Sequence, residues 1–153
     1  MIKSVKALSA FIIITLSTLV SASDNKAPDW QLKTQSGESI QWSDYKGEPV
    51  ILHFWATWCP YCKRLQPKLV ELQQKHQASG LKLVAISFNE DDGATPQDEL
   101  KARGYNFKTA VNGDKVAEKY GVVGTPTTFF INRNGEAILK YTSSDVNDPS
   151  IEL

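Results

Sequence analysis

The sequence predicts an α/β fold, and three features point to it. An apolar, β-branched run, Val50 to Trp55, breaks off at Cys59-Pro60-Tyr61-Cys62 and gives way to a helical pattern. A second apolar run, Leu81 to Phe88, follows that helix and completes a β-α-β unit with parallel strands. Turn signals at Ser36-Gly37 and Arg133-Asn134-Gly135 mark a hairpin toward each end of the chain.

The first 22 residues read as a secretory signal. Lys3 and Lys6 form a positive start, Ala7 to Val20 an apolar stretch, and Val20-Ser21-Ala22 a small-residue cleavage site. The stretch carries Ser9, Thr15, Ser17 and Thr18 and is shorter than the ~20 residues of a spanning helix. Cleavage near Ala22 is therefore expected, leaving residues 23–153 as one domain in the periplasm or secreted medium. An uncleaved signal acting as an anchor is the alternative. No cysteine lies near the cleavage site, so a lipid anchor has no attachment point. Lys plus Arg equals Asp plus Glu, 17 each, and losing Lys3 and Lys6 tips the balance slightly negative. Such a surface attracts neither nucleic acid nor an acidic membrane.

Along the mature chain, residues 30–34 and 38–42 alternate as a hairpin, and 43–47 make a turn. Strand 50–57 leads to a helix over roughly 60–78, whose Leu65, Leu69, Leu72 and His76 share one face. Pro67 should kink that helix, and Gly80 should end it. After strand 81–88 comes an acidic loop, Asn89 to Ala94, then a helix opened by Pro96 and ending near Gly104. A short strand around 107–111 and a helix around 113–120 follow, with Gly121 as its cap. Strands 127–132 and 136–142 form the closing hairpin.

Only two cysteines are present, and both lie in the Cys-x-x-Cys. Placement where a strand turns into a helix puts Cys59 at or beside the N-cap, with Pro60 in the first turn. Free amides and the positive end of the helix dipole would then stabilise the Cys59 thiolate, which is the attacking species. Cys62, a turn later, should be more buried and resolve the mixed disulfide. A purely structural bridge is the alternative, but a loop this short removes little unfolded-state entropy. A closed zinc site wants four ligands, which two cysteines with His53 and His76 cannot easily supply. The Pro-x-x-x-Thr-x-x-Cys pattern that a peroxidase needs is not present.

The stretch Phe54-Trp55-Ala56-Thr57-Trp58-Cys59-Pro60-Tyr61-Cys62-Lys63 resembles the active site of the thioredoxin superfamily, and the fuller pattern resembles its secreted TlpA/ResA-like branch. Supporting matches are Ala27 to Leu32, Gly47-Glu48-Pro49, Pro67, and Gly121 to Ile131 with its Thr125-Pro126. The resemblance covers roughly residues 27–142. It implies a thioredoxin-like three-layer α/β/α fold with an N-terminal β-hairpin and a central α/β insertion, placed at about 90–111. The insertion would extend the sheet or choose partners. Relatives usually finish with a longer amphipathic helix, whereas Val146 to Leu153 can supply two turns at best.

The resemblance also implies the roles around the sulfurs. Cys59 and Cys62 would be catalytic. Pro126 would be a cis-proline, and with the Thr125 carbonyl it would let a substrate strand pair beside Cys59. Trp58 and Tyr61 would form an apolar rim, Trp55 would pack in the core, and Pro60 with Tyr61 would tune the potential. Lys63 and Arg64 are expected in solvent. His53 stands where thioredoxins carry a buried acid; it is either a proton acceptor for Cys62 or a core histidine that tunes the sulfurs. No carboxylate follows Cys62 at the third position, which is Leu65.

The function implied is a monomeric thiol-disulfide oxidoreductase, acting as a reductase of protein disulfides and using no cofactor beyond the Cys59–Cys62 pair. Apocytochrome c is one plausible client, and a membrane thiol donor would restore the dithiol. Alternatives are a dithiol oxidant, or a copper-binding assembly factor holding Cu(I) on two thiolates and a histidine.

Overall fold

The computed structural model describes residues 25–152; the signal assigned to 1–22 lies outside them. Its strands are β1 Gln31–Thr34, β2 Ser39–Gln41, β3 Val50–Trp55, β4 Lys82–Ser87, β5 Lys108–Val111, β6 Thr127–Ile131 and β7 Ala137–Tyr141. The helices are α1 Pro60–Lys75, α2 Pro96–Ala102 and α3 Asp114–Lys119. The sheet order is β2-β1-β5-β4-β3-β6-β7. Strands β3, β4 and β5 run parallel, while β1 and β6 run antiparallel to their neighbours.

All six residues of β3 are buried, as its unbroken apolar run requires. Strand alternation divides them between two cores. Ile51 and Trp55 face α1, joining its Leu65, Leu69 and Leu72, with Leu100 of α2. Val50, Leu52 and Phe54 face the other side, with Trp30, Trp42 and, on α3, Val116 and Ala117. Three layers result, helix on sheet on helix, as expected. Gly113 lets α3 begin against the end of β4, since a Cβ there would fall 2.1 Å from the Ile86 side chain.

Element ends differ from the sequence reading by a few residues. Strand β3 stops at Trp55 rather than 57, because the Thr57 amide turns away to the Glu90 carboxylate at 3.0 Å. Helix α1 stops at Lys75, and a 3-10 turn over Gln77–Ser79 continues to the left-handed Gly80, φ +75°. The inserted segment supplies α2 and β5, and β5 takes a place inside the sheet between β4 and β1. Sheet extension is thus what the insertion does structurally.

At the carboxyl end a single 3-10 turn, Pro149–Ile151, forms within the Val146 to Leu153 stretch that could have supplied two helical turns. Ile151 is fully buried in the α1-side core. Beside it, Glu152 meets Lys68 at 2.5 Å and Lys75 at 3.0 Å on α1, and these cations hold its carboxyl down to about 2. Ile151→Ala should therefore lower unfolding free energy by about 2–5 kcal/mol in urea titration, the cost of emptying a packed aliphatic site. Glu152→Gln should cost less, because its carboxylate is solvent-exposed and the Lys75 ammonium with it, although Lys68 is largely covered.

Candidate active site

Strand β3 ends at the carboxyl edge of the sheet, and the chain turns through Ala56 to Trp58 before entering α1. Cys59 is the N-cap residue, with φ −81° and ψ 106°, and Pro60 opens the first turn. Cys59 and Cys62 form a disulfide with Cα atoms 5.3 Å apart. The Cys62 amide donates to Cys59 Sγ at 3.1 Å. That donor is one of the amides a helix start leaves free, so it faces the sulfur without cost to the helix. In the reduced protein the same N–H and the helix dipole favour the Cys59 thiolate.

Cys62 is expected to be the more buried of the pair; the two residues are buried almost alike, 0% and 1% exposed. In the disulfide form Cys59 Sγ is bonded to Cys62 Sγ. Exposed apolar side chains adjoin the pair in sequence and stand in the loop before β6. Trp58 is 46% and Tyr61 56% exposed, and Val123, in the loop before β6, is 99% exposed. The Trp58 indole N–H donates to the Asn89 carbonyl at 2.8 Å, and the Arg64 guanidinium lies 5.7 Å from the Tyr61 ring centroid.

The pairing of Phe54 with Thr127 brings the loop before β6 level with the end of β3. Thr125 and Pro126 therefore sit at the edge from which Cys59 emerges; their peptide bond is cis, and Pro126 is buried. Trp55 is fully buried and donates to Thr109 Oγ1 at 3.0 Å. Lys63 is only partly in solvent, paired with Glu99 at 2.8 Å.

His53 is fully buried on β3 and shares a hydrogen bond of 2.9 Å between Nδ1 and Thr128 Oγ1. Its Nε2 is buried without a partner. Desolvation lowers its pKa to about 3, so the ring is neutral near pH 7. His76, expected near the helix end, is the half-buried cap residue of α1, remote in sequence from the sulfurs.

Two residues were not singled out in the sequence. The Glu90 carboxylate receives both the Thr57 amide, at 3.0 Å, and the Thr57 hydroxyl, at 2.7 Å, anchoring the turn just before Cys59. Only its place in an acidic loop marked it. Arg103 of the inserted segment donates to the Lys63 carbonyl at 2.7 Å and to Gln66 Oε1 on α1. The signal available for it was Pro67, which leaves a carbonyl in want of a donor. Among the described residues no three His, Cys, Asp or Glu side chains converge as a metal site. Among the same residues no helix is long and apolar enough to cross a membrane.

Comparison with known proteins gives consistent results. A family model described as the AhpC/TSA family matches residues 24–139. Thiol-disulfide oxidoreductase ResA of Bacillus subtilis is 34% identical over 119 residues, 77% of this chain and 66% of that one. ResA of Bacillus thuringiensis subsp. konkukian is 32% identical over 74% of this chain. The chain spans about two-thirds of the length of these curated relatives, 65% for the latter. The crystal structure of a candidate thiol:disulfide interchange protein DsbE from Chlorobium tepidum superposes with TM-score 0.70 at 33% identity, covering 78% of this chain and 84% of that one.

The buried imidazole has a measurable consequence. Unfolded, His53 takes up a proton near pH 6.5; folded, it resists protonation down to about 3. The unfolded state thus binds more protons in that window, and stability falls as pH drops below about 6.5. Between pH 7 and pH 5 the wild type should lose about 2 kcal/mol more than a His53→Leu variant, measured by denaturant unfolding at each pH.

Proposed function

The chain belongs to the AhpC/TSA family with a thioredoxin-like fold, and on that premise we propose that it is a thiol-disulfide oxidoreductase working through Cys59 and Cys62. The observation that carries the proposal is the Cys62 amide held 3.1 Å from Cys59 Sγ at the mouth of α1. The names of its relatives, ResA and DsbE, support the same chemistry.

The reaction runs in two exchanges. The Cys59 thiolate attacks one sulfur of a substrate disulfide; a mixed disulfide forms and the other substrate sulfur leaves as thiolate. Cys62, deprotonated, then attacks Cys59 Sγ, closing the intramolecular disulfide and releasing the second substrate thiolate. Two electrons pass from the dithiol to the substrate. A membrane thiol donor restores the pair in our reading, and protein disulfides, with apocytochrome c as one candidate client, are the substrates. The work takes place in the periplasm or outside the cell, after removal of the segment ending near Ala22.

Each neighbouring residue has a place in this scheme. Trp58 and Tyr61 offer an apolar surface to a partly unfolded substrate, and the Thr125 carbonyl beside Pro126 is free to pair with its backbone. Pro60 and Tyr61 lie between the sulfurs and tune the potential. A histidine whose pKa is lowered to about 3 fits a tuning dipole better than a proton acceptor for Cys62.

Cys59→Ser should abolish reduction of insulin disulfides, whereas Cys62→Ser should accumulate mixed disulfides with clients; normal turnover by the latter would reverse the assigned roles. Direction is read from the potential against glutathione. A value near about −270 mV fits a reductase, and one near about −120 mV makes the protein a dithiol oxidant instead.

A further inference from the structure

Pro67 lies in the interior of α1, in the position whose N–H would close the helical bond to the Lys63 carbonyl. Lys63 directly follows Cys62, so the gap falls in the turn that carries the resolving sulfur. An unmet carbonyl in this partly buried turn calls for an outside donor. The Arg103 guanidinium, just past the end of α2, supplies it at 2.7 Å through Nη2. Its other arm, Nη1, reaches Gln66 Oε1; Gln66 is fully buried on the next turn, with its Nε2 unpartnered. Arg103 is itself held in place, stacked 5.2 Å from the Tyr105 ring centroid. The planar fork suits two acceptors on successive turns, which an ammonium could not span.

A second tie runs from the same inserted segment to the other side of the motif. Thr109 of β5 accepts the indole N–H of Trp55, the last residue of β3. The Gln97 side chain receives the Thr109 amide at 3.0 Å and fixes that partner in turn. The insertion thus grips both the strand that ends before Cys59 and the helix turn that begins with it.

We infer that Arg103 is a positioning residue for the Cys59–Cys62 pair, filling the hydrogen-bond vacancy left by Pro67 and so fixing the turn whose Cys62 amide faces Cys59 Sγ. The inference rests on the redox reading above and assigns the insertion a part in it. Removing the guanidinium loosens that turn and withdraws a cation from its carbonyl end. Both effects weaken support for the Cys59 thiolate in the reduced protein and favour the disulfide.

The test is the glutathione equilibrium of the protein's own cysteines, with the Cys59 thiol titrated by its thiolate absorbance. Arg103→Ala should move the equilibrium toward the disulfide by about threefold or more, about 14 mV on the two-electron scale, and raise the Cys59 pKa. Arg103→Lys should recover no more than part of this. In a Pro67→Ala background residue 67 regains its N–H, so adding Arg103→Ala should shift the equilibrium by less than half that factor. The inference is overturned if Arg103→Ala leaves the equilibrium unchanged, or if its effect is equal with proline or alanine at 67. Should Arg103→Ala fail to fold, Arg103→Lys read with proline and with alanine at 67 decides it by the same comparison, an equal or absent shift in the two backgrounds overturning the inference. Because the readout is the internal disulfide, it stands apart from client reduction: absent insulin activity with an Arg103-dependent equilibrium would remove the enzyme reading and keep this one.

Discussion

The arrangement turns on a sulfur seated at the start of a helix, with an amide of the same turn pointed at it from 3.1 Å. That contact needs two things at once: a strand that ends in a fixed place, and a helix whose first residues do not fray. The first comes from β3, hydrogen-bonded to β4 and β6 on its two sides and packed on both faces. The second comes from Pro60, whose missing N–H costs nothing at the helix start, and from the Leu65, Leu69 and Leu72 stripe laid against the sheet. Hydrophobic burial sets the position; the dipole and one hydrogen bond then act on a sulfur that cannot drift.

Polar groups in the same layer show a graded cost. Trp55 gives its indole proton to Thr109, and Thr57 is fully engaged by Glu90. His53 is met on one nitrogen only. A half-satisfied ring in a dry interior stays neutral because an imidazolium there would have no counter-charge to offset lost hydration. Burial that protects the redox layer from water therefore also suppresses its basicity, and the same screening leaves Cys59 almost covered in the disulfide form.

How much of this could be read in advance depended on distance along the chain. The strand-to-helix change at Cys59 was legible because local signals agree there: an apolar run, a proline at the first helical position, and leucines at steps of three and four. The hairpin at Arg133-Asn134-Gly135 and the stop at Gly80 were legible for the same local reason. Bounds slipped where a distant partner intervened, as when Glu90 draws the Thr57 amide out of β3's line. Nothing local announces that β5 enters between β1 and β4, that Thr128 meets His53, or that Arg103 reaches back 40 residues to Lys63. The near-equal burial of Cys59 and Cys62 was not legible either, because it depends on what the rest of the fold packs around them.

The position of β5 carries one more implication. Strand β1 joins the sheet through β5 alone, by Lys33 with Val111 and Thr34 with Ala110. Strand β2 is held in turn only by β1, so the whole amino-terminal hairpin hangs on the inserted strand, and loosening β5 beside β4 would release three strands of the seven at once.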